Sequence, residues 1–167
     1  GHERKQTDAT FREIISEENS TFKPGEREGR ERGSGGDWGW IGIESGRYHL
    51  YISWACPWAN RCAIVRKLKG LEDAIGMSVV HPVWQFTKPG VDEHAGWVFT
   101  NPDEEPVKNR MGYGSFSHDG VVPDNINGVK CVRELYEKAK DTLGKYSVPV
   151  LWDKKEKTIV NNESSEI

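Results

Sequence analysis

The stretch that most constrains this chain is Y-H-L-Y-I-S-W-A-C-P-W-A-N-R-C, residues 48 to 62. Tyr48 to Ile52 has the aromatic and β-branched character of a buried strand. From Ala59 to Lys69 the pattern turns helical, with Ile64, Val65, Leu68 and then Leu71 as an apolar stripe. Lys67, Lys69 and Gly70 read as the C-terminus of that helix. Pro57 suits its first position, where a missing N–H costs nothing. Cys56 therefore stands at or beside the helix N-cap, at the corner where the strand gives way. A thiol acts as a nucleophile only as thiolate, and a helix N-terminus favours that charge.

The other cysteines do not complete a dithiol. Cys62 lies six residues further along the same helix, about 9 Å away at ~1.5 Å per residue, beyond the ~7 Å that a disulfide spans. The third position after Cys56, where a C-x-x-C motif has its second thiol, is Ala59. Cys131 falls in a later helical stretch and reads as core. Cys56 is thus a monothiol site, and an external thiol must complete any redox cycle. The Cys and His residues show no paired ligand spacing, so no metal is expected.

Downstream, Met77 to Val80 reads as a second strand. Residues 84 to 126 carry Pro, Gly, Asp and Asn without a sustained period, far beyond the usual ~12–15 residue loop. Gly128 to Thr142 reads as a helix, with Val129, Val132, Leu135, Tyr136 and Ala139 on one face. Val148 to Trp152 and Thr158 to Val160 read as a hairpin joined by Asp153, Lys154 and Lys155. Residues 161 to 166 then begin another helix, with Ser and Glu in capping positions. The order βαβ-α-ββα is that of a thioredoxin-like α/β fold. The chain divides into an extended or partly disordered arm, 1–46, and a domain, 47–167. The arm is dense in charge of both signs, holds glycines 25, 29, 33, 35 and 36, and opens on a Gly1-His2 pair resembling an expression remnant.

Composition narrows the partners. A net charge of −3 speaks against nucleic acid, no apolar run spans a bilayer, and no signal peptide is visible. An odd count of three cysteines suits a reducing compartment, the cytoplasm or an organelle.

Two further elements surround Cys56 in such a fold. Val148 precedes Pro149, and a cis proline opposite the cysteine would leave the backbone of Val148 free to pair with an extended peptide. Glu163 and Ser164 open the last helix, whose N–H groups can hold a carboxylate. Singly these are a strand-edge proline and a capping box. Joined to Cys56 they describe a groove for a small, acidic, thiol-bearing peptide, which glutathione fits.

The segments SWACPWANR, HPVW, GWVF, SVPVLWD and IVNNESSEI resemble the glutathionyl-hydroquinone reductases, the Xi class of glutathione transferases, from about Thr21 to Ile167. The resemblance implies that Cys56 is the catalytic nucleophile and that Val148, before a cis Pro149, pairs with the cysteinyl part of glutathione. It implies that Glu163 and Ser164 hold the γ-glutamyl end, and that Trp97 and Arg133 also contact glutathione. It further implies glutathione as co-substrate, glutathionylated quinone-derived substrates, no metal, and a homodimer of the full-length protein. The family's C-terminal all-helical domain, which supplies the quinone site, is not in these residues. An omega-like thioltransferase or dehydroascorbate reductase, and a non-catalytic binding module on the same fold, are the alternatives.

Overall fold

The structure is a computed structural model and describes residues 9–16, 18–19, 21–22, 44–117 and 120–167. The sequence expectations for Gly1-His2 and for the arm's glycines lie outside these residues. Eight elements follow in order: β1 (Tyr48–Ile52), α1 (Pro57–Leu68), β2 (Gly76–Val79), β3 (Gln85–Phe86), β4 (Ala95–Gly96), α2 (Val132–Lys138), β5 (Val150–Asp153) and β6 (Thr158–Asn161). Four strands form a mixed sheet in the order β2-β1-β5-β6. β1 runs parallel to β2 and antiparallel to β5, and β6 is antiparallel to β5. This is the thioredoxin-like α/β arrangement expected of a βαβ unit followed by a helix and a hairpin.

Every residue of β1 is buried, because the strand is covered on both faces. On one face Leu50 and its cross-strand partner Leu151 lie under α1. On the other, Tyr51 meets Phe99 edge-on at 5.7 Å, and its hydroxyl donates to Asp124 at 2.9 Å. The Asp124 carboxylate also accepts the N–H groups of Ile126, Asn127 and Val129. A buried carboxylate with four donors is stable where an unpaired one would not be.

α1 begins at Pro57 with Cys56 as N-cap, in extended conformation and without a side-chain cap. It ends in a Schellman motif at Gly70 (φ +63°), with the N–H of Gly70 on Lys67 O and that of Leu71 on Arg66 O. Its buried face differs from the expected stripe. Ala59, Cys62 and Ala63 face the sheet, while Ile64, Val65 and Leu68 are 58%, 43% and 79% exposed. Small side chains let the helix lie close on the sheet, and that close contact outweighs the larger apolar residues.

α2 is half the expected length. Gly128 turns with φ +65°, and the chain stays outside the helix as far as Cys131, which is extended: Val98 bridges Cys131, and Val132 N–H donates to Trp97 O. At the other end Lys140 takes φ +59° and Asp141 N–H returns to Tyr136 O, closing the helix without a glycine. The region from 84 to 126 is not bare loop either. It holds the β3–β4 pair and a Val107–Phe116 bridge. After β6 the expected helix amounts to one turn, with the N–H groups of Glu166 and Ile167 on Glu163 O.

Residues 11–13 of the arm lie along β6. Glu13 N–H donates to Val160 O, Asn162 N–H to Phe11 O, and Arg12 bridges Asn161 in antiparallel sense. Further on, Arg47 holds Thr21 O at 2.9 Å while pairing with buried Asp153.

Candidate functional site

The turn into α1 fixes Cys56. Its N–H donates to Ser53 O at 3.0 Å, Ala55 N–H donates to Ser53 Oγ, and Asn60 Nδ2 reaches back to Trp54 O. The Cys56 thiol is buried, and its Sγ lies 3.5 Å from Val148 O. The Val148–Pro149 peptide is cis. The N–H of Val148 has no hydrogen-bond partner among the described residues.

A groove of about 290 Å³ opens beside this pair, near the lower bound for small-molecule sites of ~300–1,000 Å³. Trp58 and Arg61 line it from α1, Lys145, Val148 and Pro149 from the loop before β5, and Glu163 and Ser164 from the turn after β6. Arg61 lies over the Trp58 ring at 5.3 Å and reaches Ser164 Oγ at 3.5 Å. Asn161, not a serine, caps the terminal turn through its Oδ1 on Glu163 N–H at 2.7 Å. The Glu163 carboxylate accepts Ser165 N–H and Oγ–H. The groove therefore carries two cationic side chains and one carboxylate, with an unpaired backbone donor beside the thiol.

Four of the sequence-predicted positions line the groove, Val148, Pro149, Glu163 and Ser164, and Cys56 adjoins it through the contact of its Sγ with the Val148 carbonyl. Trp97 and Arg133 lie elsewhere. Trp97 packs edge-on against Trp84 at 5.4 Å, and its carbonyl accepts the first N–H of α2. Arg133 pairs with Asp92 at 2.7 Å and with Glu137 at 3.0 Å, and lies over the Tyr146 ring. Hydrogen bonding to Arg133 holds the exposed Asp92 carboxyl below the usual carboxylate range.

Cys62 is buried under the groove floor, with Sγ 3.6 Å from Ser164 O, and burial pushes its thiol up to about 11. Burial raises Cys131 as well. Both are free thiols, as is Cys56. The sequence reading missed Lys145, whose only signal is its place three residues before Val148. It also missed Ala9 and Thr10 of the arm, which line the groove with no local signal at all. Among the described residues no cluster of His, Cys, Asp or Glu could hold a metal, and no helix is long and apolar enough to cross a membrane.

Known proteins resemble this chain in sequence and in fold. A glutathionyl-hydroquinone reductase of Sphingobium chlorophenolicum is 43% identical over 125 residues, covering 74% of this chain and 32% of that protein. An omega-like glutathione S-transferase of Schizosaccharomyces pombe is 37% identical over 168 residues, covering 100% of this chain and 40% of that one. The chain thus spans between a third and two fifths of these relatives' length. A Xi glutathione transferase of Saccharomyces cerevisiae, solved in complex with glutathione, superposes with a TM-score of 0.69 at 32% identity, covering 97% of this chain and 44% of that one. The family described as "Glutathione S-transferase, N-terminal domain" matches residues 55–167, and to that family this chain belongs.

Proposed function

We propose that this chain is the glutathione-binding domain of a glutathionyl-hydroquinone reductase, with Cys56 as its nucleophile. The observation that carries the reading is the Cys56 Sγ at 3.5 Å from the carbonyl of Val148, a residue that itself lines a mixed-charge groove. Glutathione has two carboxylates and one ammonium. Arg61 and Lys145 suit the carboxylates, and Glu163 suits the ammonium of the γ-glutamyl end. The Val148 N–H suits the cysteinyl carbonyl, which brings the glutathione sulfur toward Cys56.

In the proposed reaction the Cys56 thiolate attacks the sulfur of a glutathionyl-hydroquinone. An S–S bond forms, the ring carbon–sulfur bond breaks, and that carbon gains a proton, so the hydroquinone leaves reduced. A second glutathione, as thiolate, attacks the mixed disulfide, releases oxidised glutathione and restores the Cys56 thiolate. Cys62 is too buried and too weakly acidic to intercept the disulfide. The three free cysteines support a reducing compartment such as the cytoplasm. The quinone site and a homodimer belong to the longer protein that the relatives represent.

The rival reading is an omega-like thioltransferase or dehydroascorbate reductase, favoured by the omega-like relative that matches over the whole chain. Steady-state turnover by a protein extended through a C-terminal helical domain decides between them. Glutathionyl-hydroquinone turnover that exceeds dehydroascorbate reduction and vanishes in Cys56→Ser supports the first reading; the reverse preference overturns it.

A further inference from the structure

The arm reaches the groove by a route that the resemblance does not describe. Residues 11 to 13 pair with the strand end at β6, through Glu13 N–H to Val160 O at 3.1 Å and Asn162 N–H to Phe11 O at 3.0 Å. Asn161 Nδ2 adds a bond to Glu13 O, and Arg12 pairs with Glu166 on the terminal turn. That placement sets Ala9 and Thr10 in the groove wall with Val148 and Ser164.

The same segment is tied to the cysteine's neighbour through one side chain. Asn162 is buried, and both ends of its amide are used. Its Oδ1 accepts Phe11 N–H at 3.0 Å, and its Nδ2 donates to Tyr136 Oη at 2.9 Å. Tyr136 in turn donates to Ser147 O at 2.9 Å, and Ser147 immediately precedes Val148. The Phe11 ring meets Tyr136 edge-on at 5.9 Å. Tyr136 has no exposed surface, and burial pushes its hydroxyl up to about 12, so it stays a neutral donor. A continuous hydrogen-bonded chain thus runs from the arm to the loop that carries the free Val148 N–H. Such buried, fully paired networks hold one geometry, because any broken link leaves a polar group without water.

We propose that residues 9–13 form a strap that completes the glutathione groove, with Asn162 as the positioning residue that couples the strap to the Ser147–Pro149 loop. Thr10 and Ala9 form one wall around the bound peptide, and Asn162 sets the loop opposite the thiol. The proposal rests on the glutathione reading above.

The test uses S-methylglutathione, which keeps the peptide but has no thiol to exchange. In the full chain carrying Thr10→Cys and Cys56→Ser, alkylation of the exposed new thiol by iodoacetamide is followed with and without saturating ligand. Protection by the ligand is the expected result. Calorimetry on Asn162→Ala, and on a chain lacking residues 1–12, should show the dissociation constant raised about fivefold, the loss of one or two net hydrogen bonds. Thermal unfolding of each variant separates weakened binding from an unfolded chain. Thr10→Cys lies at an exposed position and decides the matter even where Asn162→Ala does not fold. Ligand binding by the unaltered chain, with equal alkylation rates and an unchanged constant in the shortened chain, overturns the strap alone. Failure of the unaltered chain to bind S-methylglutathione overturns the glutathione reading and the strap together.

Discussion

The Cys56 sulfur and the Val148 carbonyl lie 3.5 Å apart although 92 residues separate them in sequence. Any peptide thiol that pairs with the backbone of Val148 is thereby presented to Cys56 and to no other cysteine. Treatment with oxidised glutathione should therefore add one glutathionyl group, visible by intact mass and absent in Cys56→Ala. Cys62, buried with its thiol raised to about 11, should remain unmodified. A Cys56–Cys62 crosslink in place of the adduct would contradict the helix geometry.

The Arg47–Asp153 pair should dominate the electrostatic stability of the sheet. Asp153 is fully buried, and Arg47 reaches its Oδ2 through Nε at 2.9 Å and Nη2 at 2.6 Å. Arg47→Ala removes the buried carboxylate's charged partner, leaving it only the N–H groups of Lys155 and Glu156 on Oδ1, and should cost about 3–5 kcal/mol by urea denaturation. The double variant Arg47→Met with Asp153→Asn should cost less than the sum of its two single changes. A cost below about 1 kcal/mol for Arg47→Ala would be the value of an exposed pair and would contradict the buried geometry.

Stability should fall with acid through His49. Burial lowers this imidazole from an ordinary 6.5 to about 4, and its Nε2 faces Ser78 Oγ at 2.8 Å. The unfolded chain binds the proton more readily, so the contribution is complete above pH 6.5 and is lost as pH falls toward 4. The loss over that window is on the order of 3 kcal/mol. Chemical denaturation of His49→Phe across the same range should show a flatter profile, and a slope identical to the unaltered chain would assign the acid sensitivity elsewhere.

Gly76 is required by the same histidine. A Cβ at this position would lie 2.6 Å from His49 Nδ1, and that ring is buried and held. Gly76→Ala should destabilise by about 1–3 kcal/mol. Adding His49→Ala should recover part of that cost, measured as a coupling in thermal unfolding. Strictly additive costs would show that the two positions do not touch.

Much of the corner around Cys56 is legible in the sequence because its signals are local. Pro57 marks the helix start, Gly70 marks its end, and the apolar run of Tyr48 to Ile52 marks a strand covered on both sides. The Val148–Pro149 and Glu163–Ser164 elements are legible for the same reason, and the fold brings the two together in one groove. What escapes is set by distant contacts. The buried face of α1 is chosen by how closely Ala59 and Ala63 let the helix approach the sheet, which a hydrophobic stripe does not encode. α2 stops after Lys138, and the turn that follows is closed by Lys140 at φ +59°, where the sequence offers no glycine to mark the end. Lys145, Ala9 and Thr10 reach the groove only through the assembled sheet.

Asp124 closes an excursion from the sheet that begins at residue 100. His81 N–H is fixed on Val98 O, and Phe99 N–H on Lys130 O, so the chain leaves the sheet at one secured point. Asp124 returns it at another, on the Tyr51 hydroxyl of the central strand. Inside the excursion the Val107–Phe116 bridge is a further tie, and chain added ahead of that bridge only lengthens a loop whose closure cost grows slowly, by about 0.6 kcal/mol for each doubling. Residues can be added or removed around Glu104 and Glu105 without moving Tyr51, Cys56 or the groove. This excursion is where the protein can acquire new surface while its reactive corner stays unchanged.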